Sequence, residues 1–375
     1  MKVTYSVGAR VPGGGVGNVS AEALKALAQA GWLDKLFCFG YKGSEVPQDK
    51  VVSLPFDWPQ KGKGHRFFYP DYLKDVLFDL VASRKISGSD FFHSWNNHCL
   101  RSLRVAKKLG AKAIVERNSL YPSTQADLIR NEYAKFGIKV EPTSPRTLQR
   151  GEQELEEADY IFCPSELVRQ SLLGAGIKEG KIRLIPQGVD TKKFKITRTP
   201  ASFAGPFKVL FIGHLGFRKG LPYLLQAWDK LHLPDSQLVL VGGEEREIKN
   251  YLQPFLDRQD IVFAGYTDPK PYLEKATVFV CPSIEDGFGL VVLEAMAAGV
   301  PVIVSQNTGA KDVVREGQDG FIVPAKDTEA LAERLSELYA KRDLAFCLGQ
   351  SAAERAREFD WSVYRRKLIE TYQTL

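Results

Sequence analysis

The chain has 375 residues, 44% hydrophobic and 26% charged, which excludes a disordered chain, a collagen and a coiled coil. Its length passes the roughly 250–300 residues over which one hydrophobic core keeps growing, so two domains are expected. The net charge is +6, and all of it arises through Asp190, where 27 Lys+Arg face 21 Asp+Glu; no long Lys/Arg run is present, so nucleic acid is not an expected partner.

Strand patterns fall at 2–7, 36–39, 51–53, 90–93, 112–116, 159–163 and 182–185, then at 207–212, 237–241, 261–263, 277–281, 301–304 and 321–323. Several are continuous apolar runs, such as Leu238-Val-Leu-Val241, and a strand apolar on both faces belongs to a parallel sheet covered by helices. Amphipathic helical patterns at 21–30, 221–231 and 329–340 separate them. The pattern is α/β twice over: two Rossmann-like, doubly wound parallel-sheet domains. The stretch Ala158-Asp-Tyr-Ile-Phe-Cys-Pro-Ser165 is echoed by Ala276-Thr-Val-Phe-Val-Cys-Pro-Ser283, 118 residues on, and each serine is expected to cap a helix. A Lys, Thr and Pro-rich segment after Gly188 reads as a linker. The expected organisation is a first domain over 1–190, a linker over 191–206, a second domain over 207–358 and an aromatic helix over 359–375.

No apolar run nears the ~20 residues of a membrane span, and none ends in a signal-peptide cleavage pattern, so a cytoplasmic protein is expected. The five cysteines are scattered, with no metal or disulfide spacing. The basic excess of the first half reads as a solvated surface or as attraction to an anionic partner, a phosphorylated acceptor or the lipid of an inner membrane face. The mixed run of cations and aromatics at 61–69 is read the same two ways, as a basic loop or as a membrane or acceptor-lipid contact.

Three segments carry chemistry. Gly13-Gly-Gly-Val-Gly17 lies between a strand and a helix start, where backbone amides can approach an anion. It lacks the acidic partner of a nicotinamide site and the Gly-Lys-Ser/Thr of a P-loop. Gly213-His-Leu-Gly-Phe-Arg-Lys-Gly220 places Arg218 and Lys219 together at a helix start, suited to a diphosphate. Pro282-Ser-Ile-Glu-Asp-Gly-Phe-Gly-Leu-Val-Val-Leu-Glu-Ala-Met-Ala-Ala-Gly-Val-Pro301 sets Asp286 and Glu294 eight residues apart, with Glu294 inside an apolar helix. A carboxylate there needs hydrogen-bond partners, and a ribose or hexose supplies them.

This last stretch resembles the carboxylate-x7-Glu signature of the retaining family 4 glycosyltransferases, which have the GT-B fold. The Gly-rich loop, Ala158–Glu166, Ile185-Pro-Gln-Gly-Val-Asp190, Arg218-Lys-Gly220 with Leu224-Leu-Gln-Ala227, and Phe359-Asp-Trp-Ser-Val-Tyr364 resemble the family as well. The resemblance implies a hexosyltransferase acting between a nucleotide-sugar donor (UDP-, GDP- or ADP-linked) and a hydroxyl of a glycan, a glycolipid or a small molecule. It implies that the terminal helix crosses back to the first domain. Asp286, Lys219 and Glu294 would be the catalytic residues. Gly14, Gly15, Arg218, Lys219, Gly265, Tyr266, Asp286, Phe288, Gly289, Leu290 and Glu294 would bind the donor, with Lys219 on the diphosphate and Glu294 on the ribose. Glu116 and Asn118 would face the acceptor or the transferred sugar, and His93 would either join them or be a structural histidine at its strand end.

No cofactor is implied, and the absence of any Asp-x-Asp agrees with metal-independent transfer. The chain departs from the family pattern in three places: Asp286 stands where Glu is usual, His214 where Arg is frequent, and Trp95 at the second histidine of a His-x-His. A GT-B nucleotide-sugar epimerase and a non-catalytic sugar-nucleotide or glycan-binding module are the alternative readings.

Overall fold

The computed structural model describes residues 1–54 and 70–375. The basic and aromatic run 61–69 lies outside the described residues. The strands collect into two all-parallel sheets. The seven-stranded sheet has the order Val51–Ser53, Leu33–Cys38, Val3–Ser6, Phe91–Trp95, Lys112–Glu116, Tyr160–Cys163, Ile182–Leu184. The six-stranded sheet has the order Ile261–Gly265, Ser236–Val241, Phe207–Ile212, Val278–Cys281, Val302–Ser305, Gly320–Val323. The central strands Val278–Cys281 and Val302–Ser305 are buried at every residue, the consequence of apolar runs covered from both sides.

Strand order reverses beside Val3–Ser6 in one sheet and beside Phe207–Ile212 in the other. Ligand crevices of doubly wound sheets open at such reversals, outside the carboxyl ends of the strands. The two loops that leave these strands are the Gly-rich segments 13–17 and 213–220. A short parallel pairing of Arg10–Val11 with Gly40–Tyr41 fixes the entry to the first loop. Gly17 packs so closely there that a Cβ would lie 2.2 Å from the Arg10 carbonyl oxygen.

The chain passes between the halves side by side. Val189 N–H donates to Phe359 O (2.9 Å) and Trp361 N–H donates to Val189 O (3.1 Å). The terminal helix Trp361–Gln373 then packs on the helix Gly14–Gln29, with Arg365 paired to Glu22. The segment after Asp190 is bound to the second half: Arg198 donates to Ala298 O and Ala276 O (both 2.9 Å), and Phe194 and Phe203 are buried.

Two findings differ from simple sequence expectations. Ser165 caps its helix, accepting from Val168 N–H at 3.3 Å, but Ser283 caps nothing. Residues 284–289 intervene before the helix Leu290–Ala297, and that detour forms a wall of the cleft; Ser283 is buried and its carbonyl accepts from Ser305 Oγ (2.5 Å). The helix Pro122–Lys135, which follows a strand of the first sheet, packs on the core of the second. Tyr133 and Phe136 stack on Phe217 at centroid distances of 5.0 and 4.6 Å, and Tyr133 Oη donates to Glu245 Oε2 (2.6 Å).

Candidate active site

A cavity of about 880 Å³ opens between the carboxyl ends of the two sheets. From the first half come Gly15, Val16, Asn118 and Ser119; from the second come Arg218, Lys219, Asp286 and Glu294. Two helix N-termini reach it. The helix Gly14–Gln29 begins with no side-chain cap, and Gly15 at its first turn has no neighbour within 4 Å of a would-be Cβ. The helix Leu290–Ala297 is likewise uncapped and begins after Gly289 at φ 87°. Free amides and the positive ends of two helix dipoles make this wall of the cleft attractive to anions.

Lys219 sits just before Gly220, whose φ of 70° places it in the left-handed region and whose would-be Cβ lies 1.9 Å from Pro282 O. The main chain there is therefore held against the loop that carries Asp286. Lys219 Nζ lies 2.6 Å from Asp286 Oδ2, with both side chains only about one-seventh exposed (16% and 15%). Burial pushes the Asp286 carboxyl up, but the charges of Lys219 and Arg218 and a bond from the Phe288 amide outweigh it and hold it below its ordinary value. Among the described residues Glu294 has no such partner. Burial raises its carboxyl, Lys193 of the linker opposes the rise, and Asp268 adds to it. The two carboxylates of the signature thus differ: one is paired and held low, the other is raised by burial.

Of the expected site residues, Gly15, Asn118, Arg218, Lys219, Tyr266, Asp286, Phe288, Gly289, Leu290 and Glu294 line the cavity. Tyr266 is 92% exposed there, an aromatic face on which no ring of the described residues is stacked. Gly14 and Gly265 adjoin the wall, each with a positive φ (58° and 69°) that sets the turn beside it. His214, which stands at a frequent arginine position, is on the wall as well.

His93 is not brought to the cleft. It is fully buried under the terminal helix, with Nδ1 2.5 Å from Tyr372 Oη. Its Nε2 approaches Glu116 Oε1 at 2.9 Å without the alignment of a hydrogen bond. Glu116 also accepts from Tyr5 Oη (3.2 Å) and borders a void of about 10 Å³ shared with Asn118, Gln187 and Tyr364.

Sequence reasoning missed Glu285. It is fully buried beside Asp286 and ion-paired with Arg218 at 3.0 Å. Only the doubled carboxylate Glu285-Asp286 hinted at it. Gln187, within the Ile185–Asp190 motif, and Asp268 also line the cavity and were not singled out. Among the described residues no group of three or more His, Cys, Asp or Glu is placed to hold a metal ion. Among the same residues no helix is long and apolar enough to cross a membrane.

Both halves of the chain are similar to known proteins. Residues 13–193 match the model of Glycosyltransferase Family 4, and residues 206–341 match that of Glycosyl transferases group 1. A phosphatidyl-myo-inositol mannosyltransferase of Mycobacterium leprae is 33% identical over 200 residues, 51% of this chain and 53% of that protein. The chain spans about half the length of the curated relatives it matches. Sucrose-phosphate synthase from Thermosynechococcus elongatus superposes with a TM-score of 0.75 at 24% identity, over 100% of this chain and 99% of that one. HepE from Anabaena, in complex with UDP-glucose, gives 0.69 at 16% identity over 100% of both chains. These two likenesses establish the fold, two facing Rossmann-like domains of the GT-B type. With both halves matched and the signature segment at the cleft, the chain belongs to the group 1, family 4 glycosyltransferases.

Proposed function

We propose that the protein is a retaining glycosyltransferase that moves a hexose from a nucleoside-diphosphate sugar to a hydroxyl of a glycan, a glycolipid or a small molecule. The observation that carries this reading is the single cavity wall where Lys219, Asp286, Glu294 and two uncapped helix N-termini meet. The UDP-glucose complex of HepE favours a nucleotide-sugar donor.

In this reading Lys219, Arg218 and the amides near Gly15 and Leu290 carry the diphosphate. Glu294 accepts from the ribose hydroxyls, which supply the partner its burial requires. Asp286 faces the sugar as positive charge develops at its anomeric carbon. The bond from that carbon to the diphosphate oxygen breaks, and the acceptor oxygen bonds to the carbon on the same face. The acceptor proton passes to the departing phosphate. Cations and helix dipoles from the protein neutralise the leaving group, so the transfer requires no metal. Asn118 lies toward the acceptor side, and the basic first half draws in an anionic acceptor or lipid surface.

Incubation with a panel of UDP-, GDP- and ADP-sugars, with and without a chelator, tests this. Release of nucleoside diphosphate that the chelator leaves unchanged is expected. Inversion at the sugar C2 with the nucleotide intact would indicate an epimerase, and binding without any turnover a binding protein.

A further inference from the structure

Glu285 has no place in the donor contacts described above, yet it is the most completely buried carboxylate beside them. An ionised carboxylate out of water is costly unless several donors hold it. Three do. Arg218 Nη1 donates to Glu285 Oε2 at 3.0 Å, Gln125 Nε2 donates to the same oxygen at 3.0 Å, and Leu120 N–H donates to Oε1 at 3.3 Å. Arg218 Nη1 is also 3.0 Å from the Glu285 main-chain oxygen, so one residue pins the guanidinium twice.

The other two donors belong to the loop and helix that follow the strand Lys112–Glu116. Their arrangement is itself directed. Arg117 Nη2 donates to Gln125 Oε1 at 2.8 Å, which turns the amide nitrogen of Gln125 toward Glu285. Arg117 also holds the Leu120 carbonyl through Nε at 2.8 Å. Close beside them, a Cβ on Gly287 would lie 1.9 Å from Asn118 O, so the two backbones are in contact. A continuous chain, Arg117 to Gln125 to Glu285 to Arg218, therefore joins the first half to a cation on the cleft wall.

We propose that Glu285 is a positioning residue for the donor diphosphate: it holds Arg218 toward the cleft and makes its placement depend on Leu120 and Gln125 of the first half. The inference rests on the donor reading above. It has a specific competitor. A carboxylate near a diphosphate repels it, so removing the charge would tighten binding if repulsion outweighed positioning. Glu285 is wholly enclosed, whereas Arg218 is 27% exposed and lines the cavity, so the cation stands at the ligand's side of the pair.

The test is titration calorimetry with UDP, GDP and ADP on the full chain and on Arg218→Ala, Glu285→Gln and the double variant. For whichever nucleotide binds the unaltered chain, each single change is expected to weaken binding about tenfold. The double variant is expected to be no weaker than Arg218→Ala alone, because Glu285 acts through that side chain. Gln125→Ala keeps the buried pair intact and serves if Glu285→Gln does not fold. It is expected to weaken binding about threefold in the native background and not at all beside Arg218→Ala. Unchanged or tighter binding in Glu285→Gln, or additive losses in the double variant, would overturn the positioning role and leave the donor reading standing. In that backup case, unchanged or tighter binding in Gln125→Ala, or a further loss beside Arg218→Ala, would overturn the role in the same way. No nucleotide bound by the unaltered chain would overturn both.

Discussion

The second half sets its charged groups on the wall of a large cavity, whereas the first half seals a comparable set beneath the terminal helix. Lys219, Asp286 and Glu294 line about 880 Å³ of open space. Tyr5, His93, Glu116 and Tyr372 are as rich in donors and acceptors, yet Tyr5 and His93 have no exposed surface and Glu116 borders only a void of about 10 Å³. Burial, reinforced by the Glu116 charge, pushes the Tyr5 and Tyr372 hydroxyls well up, so they stay neutral donors. Residue type marks both clusters as candidates for chemistry. Access separates them: one can exchange partners with a ligand, and the other has already spent its partners on itself.

The largest effect expected on the open side is at Asp286 and Lys219. Asp286→Asn keeps the shape and loses the charge, and should lower kcat about a hundredfold with little change in KM, because the contact strengthens as the sugar becomes cationic. Lys219→Ala should cost about ten- to a hundredfold in kcat/KM, as a charge-assisted contact of roughly 1.5–3 kcal/mol is lost. It also strips Asp286 of its partner. The Asp286 carboxyl lies below its ordinary value, so the stability it contributes is present above that value and fades as pH falls through the lowered one. Lys219→Ala should remove this acid-side fading from the unfolding profile. Native turnover in Asp286→Asn would place this carboxylate with the sealed cluster.

On the sealed side the pattern should invert. His93→Phe keeps an aromatic ring but loses the Tyr372 contact, and should cost about 1–3 kcal/mol in thermal or denaturant unfolding. Turnover per folded molecule should be unchanged. A large loss of turnover with native melting would return His93 to the reaction.

Glu294 sharpens the contrast within the site. Its carboxyl is raised above the ordinary 4.5, so its ionised form works against folding at neutral pH. That burden is relieved as pH falls through the raised value. Glu294→Gln should therefore melt slightly higher at neutral pH while donor KM rises several-fold with kcat nearly kept. Lowering pH through the same range should weaken donor binding in the native protein and not in the variant. The smallest effect is expected at Gly15. Alanine fits, since nothing lies within 4 Å of its Cβ, and should add a few tenths of a kcal/mol to stability by restraining the unfolded chain. The methyl faces the phosphate path, so donor KM should rise a few-fold, read in the same steady-state assay.

Much of this was legible because it is local. Continuous apolar runs such as Val278–Cys281 announced buried parallel strands, and the glycines at 13–17 and 213–220 marked the loops at the sheet reversals. The Asp286 and Glu294 spacing brought both residues to one cavity. What stayed hidden depends on contacts far apart in sequence. His93 is closed off by Tyr372, 279 residues away, and Glu285 is held by Leu120 and Gln125, 165 and 160 residues away. The helix Pro122–Lys135 shows its apolar positions in its sequence, but nothing in them says that Tyr133 will meet Phe217 of the other half. Ser283 matched Ser165 letter for letter, and only the detour at 284–289 kept it from capping a helix.

A crystal structure with the nucleoside diphosphate that binds most tightly tests the central claim directly. The account predicts diphosphate oxygens within hydrogen-bond distance of Lys219 Nζ, with Asp286 freed toward the sugar position and Glu294 on the ribose hydroxyls. A nucleotide lodged elsewhere, such as the pocket beside Lys208, Gln237 and Lys275, with the Lys219–Asp286 pair intact, would contradict it.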